Sequence, residues 1–194
     1  MFLQTDQEME VVGEATNGRD AVEITMDRKP DLIVMDLLMP EMDGVAATRS
    51  IRQQQPDINI IALSSSTDYG LITSSLLAGA SSYLHKGSKP DLLLTTIKGV
   101  TAGRVLLSRG VMDRVLNYLP APDDAQPLTP TEVELLRLLS SGYSDNELEQ
   151  RLQMKTSAIR SALEQTQHKL SSNTRLLAVL RAIQLGLIER LTPA

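Results

Sequence analysis

Leu32-Ile33-Val34-Met35-Asp36-Leu37-Leu38-Met39-Pro40-Glu41-Met42-Asp43-Gly44 carries an apolar run straight into a carboxylate, then a proline, then an Asp-Gly pair. An apolar run of this kind predicts a strand covered on both faces, as in a parallel sheet. Ligands of such open sheets gather outside the carboxyl ends of the strands. Asp36 therefore stands on a chemically useful rim. Two later apolar runs end in suitable companions: Ile58 to Leu63 leads to Ser64, and Ser82 to His85 leads to Lys86. Taken singly, an Asp after a strand is equally an N-cap for the next helix, and a Ser or Lys there is turn chemistry. Three in register, in successive strand and helix units, bring a carboxylate, a hydroxyl and an ammonium together.

The surrounding pattern supports that placement. A strand is expected at Glu10 to Ala15, a helix from Asn17-Gly18 to about Lys29, and a strand from Asp31 to Met35. Next come a helix at 43–54 stopped by Pro56, a strand at 58–63, a helix at 68–78, a strand at 81–85 and a helix from Lys89 to about Ala102. Strands alternating with helices of ten or so residues indicate βαβ units and a parallel sheet. A further helix is expected from Ser108 to Leu119. The segment Pro120-Ala121-Pro122-Asp123-Asp124-Ala125-Gln126-Pro127 then breaks every periodicity and reads as a linker.

Residues 1–119 resemble the receiver domain of bacterial two-component response regulators. The markers are Met39-Pro40 followed by Asp43-Gly44, and Ala78-Gly79-Ala80-Ser81-Ser82-Tyr83-Leu84 leading into Lys86. The resemblance implies a flavodoxin-like α/β fold, a doubly wound parallel sheet. It also implies that Asp36 accepts a phosphoryl group from a sensor histidine kinase, with Ser64 and Lys86 supporting the phosphate and Tyr83 as the aromatic switch residue. In the family a pair of acidic residues after the first strand helps to hold Mg²⁺. Here Met1-Phe2-Leu3-Gln4 matches the tail of the family's first helix, so the receiver is expected to lack its first strand and the acidic pair. Glu14 and Asp57 are no clear stand-ins. Asp36 with the Leu38 backbone carbonyl would then hold Mg²⁺ only weakly, because the ion prefers octahedral oxygen coordination. In the family's strand order, 2-1-3-4-5, the missing strand is central, and its neighbours are expected to be left with unpaired edges.

The chemistry of those roles is independent of the family. Phosphoryl transfer spreads negative charge over three equatorial oxygens, which a catalyst positions and neutralises. Lys86 supplies a point charge and Ser64 a donor. Phosphorylation adds about one to two negative charges, enough to draw a loop inward. Ser64 moving toward the phosphate is expected to vacate space for Tyr83.

Composition narrows the class. The 194 residues suffice for two modest domains, and without cysteine there are no disulfides or thiolate metal sites. No apolar run approaches the length of a membrane helix, so the cytoplasm is the expected address. The net charge of −5 is unevenly spread. Residues 128–194 hold eight Lys and Arg against seven Asp and Glu, leaving eleven against seventeen elsewhere. Within 151–175 five cations, Arg151, Lys155, Arg160, Lys169 and Arg175, face only Glu164, a patch suited to phosphates or to a solvated helix face.

Residues 128–194 read as an all-α, four-helix unit with helices at about 130–141, 145–152, 156–170 and 174–186. Thr129 with Glu132 and Ser144 with Glu147 make capping boxes, and Pro130 sits in the first turn. A helix, a short turn and a second helix with basic and small polar residues on one face suggest a helix-turn-helix, whose second helix enters the major groove. The segment resembles the DNA-binding domain of the LuxR/NarL (FixJ) group. The resemblance rests on Leu128-Thr129-Pro130, Gly142-Tyr143-Ser144, Glu147-Leu148, Arg151-Leu152, Lys169-Leu170 and Gly186-Leu187-Ile188. It implies double-stranded DNA as partner, with Lys155, Thr156, Ser157, Arg160, Ser161, Gln165 and Lys169 as contacts, and a homodimer through the last helix, whose Leu176, Leu177, Leu180, Ile183 and Leu187 are equally core positions. The recognition helix departs from the group's pattern at Ala158-Ile159-Arg160, Ala162-Leu163 and Gln165-Thr166, and Glu164 stands where negative charge is unwelcome.

Two readings follow. One is a transcription-regulating response regulator, not an enzyme, switched at Asp36. The other is a degenerate receiver acting as a phosphorylation-independent interaction module with weak or no DNA binding. A flavodoxin-like cofactor enzyme is rejected because no glycine-rich loop follows the first available strand.

Overall fold

The computed structural model describes residues 6–189. The expected helix tail at Met1 to Gln4 lies outside them. The chain forms two compact units, 1–98 and 99–194. Among the described residues no helix is long and apolar enough to cross a membrane.

The first unit is built on a three-stranded parallel sheet in the order β1 (Leu32–Asp36), β2 (Asn59–Ser64), β3 (Ser82–His85). Helices α1 (Gly18–Arg28), α2 (Gly44–Gln54) and α3 (Tyr69–Ala78) connect it, and α4 (Pro90–Thr101) follows β3. Local chemistry sets the helix ends. Asn17 accepts the Asp20 N–H, Asp43 the Ala46 N–H and Asp68 the Gly70 N–H, each satisfying a first-turn donor that has no partner within the helix. Gly79 stops α3 at φ +117, a conformation only glycine adopts cheaply. The core joins Met35 and Ile60 of the sheet to Ala47 and Ile51 of α2, with Ile58 just before β2; Ala21, Val22 and Met26 of α1 pack against them.

The strand expected at Glu10 to Ala15 does not form; the segment is non-regular and largely exposed. A strand needs a hydrogen-bonding neighbour, and in the family order its neighbour would be the first strand. Among the described residues β1 pairs only with β2. No strand pairs with its other edge among the described residues.

The second unit contains α5 (Arg109–Tyr118), α6 (Pro130–Ser140), α7 (Asp145–Leu152), α8 (Thr156–Lys169) and α9 (Arg175–Gln184). Residues 99–119, attached to the receiver in the sequence reading, pack here. Asp145 N–H donates to Ala102 O, Arg175 to Gly103 O, Arg104 to Gly142 O, and Gln184 to Leu119 O. Buried Leu135, Leu136 and Leu139 of α6, Leu148 of α7, Ile159 and Leu163 of α8, and Leu176 to Leu180 of α9 form the core.

Glu132 closes α6. It is 3% exposed, accepts the Thr129 N–H at 2.6 Å, and takes Lys169 Nζ on both oxygens at 2.8 Å. Burial raises its carboxyl, but the bonds from Lys169 and Thr129 outweigh this and hold it below the ordinary 4.5. A depressed folded value stabilises the fold above the unfolded value and is lost as pH falls through the folded one. Glu132→Gln is therefore expected to cost about 1–3 kcal/mol at pH 7, and the cost should shrink on acidification below the ordinary 4.5. Thermal unfolding at pH 7 and in acid tests this: a mutant deficit independent of pH contradicts the charged-pair account.

Candidate functional site

The parallel register brings the strand ends to one rim. Asp36 lies opposite Leu63, and Ser64 opposite His85. Lys86 Nζ reaches across to Asp36 Oδ2 at 2.6 Å, while Asp36 Oδ1 accepts the Leu38 N–H at 3.0 Å. The Lys86 and Asp36 side chains keep 38% and 29% of their surface, so the pair is accessible to a donor from solvent. Gly44 explains the Asp-Gly marker. Its N–H donates to Leu37 O at 3.2 Å, and a Cβ there would lie 2.8 Å from the Leu37 Cα and collide with Asp36 O. Only glycine lets α2 start this close beneath the carboxylate.

The hydroxyl and the aromatic ring are both buried. Ser64 is fully buried, and its Oγ accepts the Ser66 N–H at 3.0 Å. Tyr83 is 5% exposed and donates its hydroxyl to Ser66 O at 3.3 Å. Burial pushes its phenol above the ordinary value, with Tyr69 adding to the shift. Ser64 and Tyr83 thus both sit inside. Both side chains converge on Ser66, making the 64–66 loop the element that a charge change at Asp36 would pull. His85 is tied to this loop too. Gly87 N–H donates to its Nδ1 at 2.9 Å, which leaves Nε2 to face Ser65 O at 3.3 Å as the donor.

In the second unit, Ile159, Leu163, Thr166 and Leu170 turn inward. Thr156, Ser157, Arg160, Ser161 and Glu164 line one open hollow on the outer side of α8, and Lys155 and Gln165 are also exposed. Lys169 is corrected: its ammonium is committed to Glu132, which lies 37 residues upstream. Arg151 lies over the Tyr143 ring at 4.1 Å. On α9, Leu176, Leu177 and Leu180 are buried and serve the core; Ile183 and Leu187 are half-buried.

A family model described as the response regulator receiver domain matches residues 1–98. The chain belongs to the response regulator family. This response regulator is 35% identical over 191 residues to an uncharacterized transcriptional regulatory protein, YhcZ, of Bacillus subtilis, covering 96% of this chain and 89% of that one. It is 31% identical over 189 residues to the response regulator protein VraR of Staphylococcus epidermidis, covering 97% and 90%. A solved two-component response regulator of the LuxR family from Aurantimonas is similar, with 29% identity, a TM-score of 0.53, and coverage of 59% of this chain and 83% of that one. The likeness is to regulators of the LuxR/NarL type.

The described residues of the response regulator do not fit Mg²⁺. Among them no group of three or more His, Cys, Asp or Glu gathers, and the two Asp36 oxygens are taken by Lys86 and by the Leu38 N–H. Asp57 sits in the turn before β2, at the opposite end of the strands. Asp36 with the Leu38 carbonyl offers a hard cation too few oxygens.

Glu164 stands four residues after Arg160, on the same helix face, and lines the same hollow.

Proposed function

We propose that this response regulator is a transcription factor: Asp36 accepts a phosphoryl group from a sensor histidine kinase, and the modification controls binding of double-stranded DNA by the helix-turn-helix of α7 and α8. The receiver is assigned to 1–119 with 120–127 as linker and 128–194 as the DNA-binding domain, although 99–119 pack in the second unit. The single observation supporting the reading most strongly is the 2.6 Å pair of Lys86 with Asp36 at the carboxyl ends of the strands. There the ammonium neutralises charge on an acyl phosphate, and the loop held by Ser64 and Tyr83 is within reach of the change. On the output side Lys155, Thr156, Ser157, Arg160, Ser161 and Gln165 are the contacts we assign; Lys169 is withdrawn. The protein acts in the cytoplasm, as a homodimer whose contact lies outside the buried α9 positions.

One observation favours the second reading, a phosphorylation-independent interaction module: the described residues bring no acidic cluster to the rim. Binding of the full chain to duplex DNA at two salt concentrations separates the readings. The transcription-factor reading expects retention that falls steeply with salt, because cations that neutralise phosphates release counterions. No retention at low salt favours the module.

A further inference from the structure

Glu164 is an odd residue for a helix that meets phosphates. Its carboxylate is exposed, lines the same outer hollow as Arg160, and has no ion-pair partner among the described residues; neither does Arg160. The two are four residues apart with the cation first, the less favourable order for a helical ion pair, so both side chains are left available.

We infer that Glu164 reads a base: with Arg160 it makes the helix specific for a cytosine beside or near a guanine. This rests on the DNA-binding reading above. An ionised carboxylate only accepts hydrogen bonds. In the major groove guanine offers the acceptors N7 and O6, and thymine offers O4, so Glu164 repels both. Adenine pairs its amino group with an acceptor at N7. Cytosine alone presents the N4 amino donor without that neighbouring acceptor. The cost of a carboxylate near phosphates is then exchanged for rejection of three bases, which is specificity by exclusion. Arg160 has the complementary chemistry, a fork of donors that matches guanine O6 and N7. Four helical residues span about 6 Å, against about 3.4 Å per base step, so the two side chains reach positions one or two steps apart. Thr156, Ser157 and Ser161 flank them as hydroxyl donors for the backbone.

The test is selection by the full chain from a randomised duplex library, with wild type, Arg160→Ala, Glu164→Ala and Glu164→Gln. The wild-type pool is expected to fix a cytosine and a guanine one or two steps apart. Glu164→Ala should lose the cytosine while keeping the guanine, and Arg160→Ala the reverse. Glu164→Gln should change the preference from cytosine to adenine, since an amide matches adenine N6 and N7. On the best wild-type duplex Glu164→Ala should bind about 5- to 150-fold more weakly, the equivalent of about 1–3 kcal/mol. Two results overturn the inference: identical sequences selected by wild type and Glu164→Ala, or an equal gain in affinity of Glu164→Ala for every duplex, which marks mere repulsion. Failure of wild type to retain any duplex overturns the DNA-binding reading itself and this assignment with it.

Discussion

Asp36→Asn is expected to abolish labelling of the chain by acetyl phosphate with Mg²⁺, leaving an intact mass without any added phosphoryl group. The amide has the size of the carboxylate but cannot act as the oxygen nucleophile that forms an acyl phosphate. Folding should hardly change. The Asp36–Lys86 pair is about one third exposed, and such pairs are worth about 0–1 kcal/mol. The variant therefore isolates chemistry from stability. Because the described residues supply so few oxygens for the ion, wild-type labelling is expected to be slow. A label that persists in Asp36→Asn would move the acceptor to another residue, and no label on wild type supports the interaction-module reading.

Arg52→Met is expected to destabilise the first unit by about 2–4 kcal/mol, since each buried polar group left without its partner costs about 1–3 kcal/mol. Arg52 is 9% exposed and reaches three places at once: it donates to Pro56 O, to Gly79 O at 2.7 Å and to Ser81 Oγ at 3.5 Å. It thereby ties the end of α2 to the turn between α3 and β3. Burial pushes its guanidinium down to about 10, with Asp57 opposing. The charge is thus tolerated for its bonds, and a Met of similar length keeps the packing while losing them. Gly79 is part of the same joint, since a Cβ there would lie 2.8 Å from Arg52 Nε. Urea unfolding measures the effect; a midpoint indistinguishable from wild type would show that the three bonds contribute nothing net.

Most helices and the rim were legible because their signals are local. Asn17, Asp43, Asp68 and Thr129 each cap within three residues, prolines and glycines mark the stops, and Asp36, Ser64 and Lys86 follow directly from apolar runs. What escaped depends on partners far away in the chain. The segment 10–15 has the composition of a strand, but a strand exists only in a ladder, and its neighbour is not among the described residues. Lys169 has its partner, Glu132, 37 residues away across the unit. The packing of 99–119 with the C-terminal helices rests on Arg104, Asp145, Arg175 and Gln184, none of which carries a periodic signal. Whether the Tyr83 ring lies inward depends on Ser66, seventeen residues earlier.

The measurement that bears most directly on the account is the affinity of the full chain for its best selected duplex, before and after treatment with a phosphoryl donor, in wild type and in Asp36→Asn. The account predicts a change in wild type that tracks the fraction of protein labelled and no change in Asp36→Asn. Equal affinities for labelled and unlabelled wild type would contradict it, because the mark at Asp36 would then go unread by the helix proposed to bind DNA.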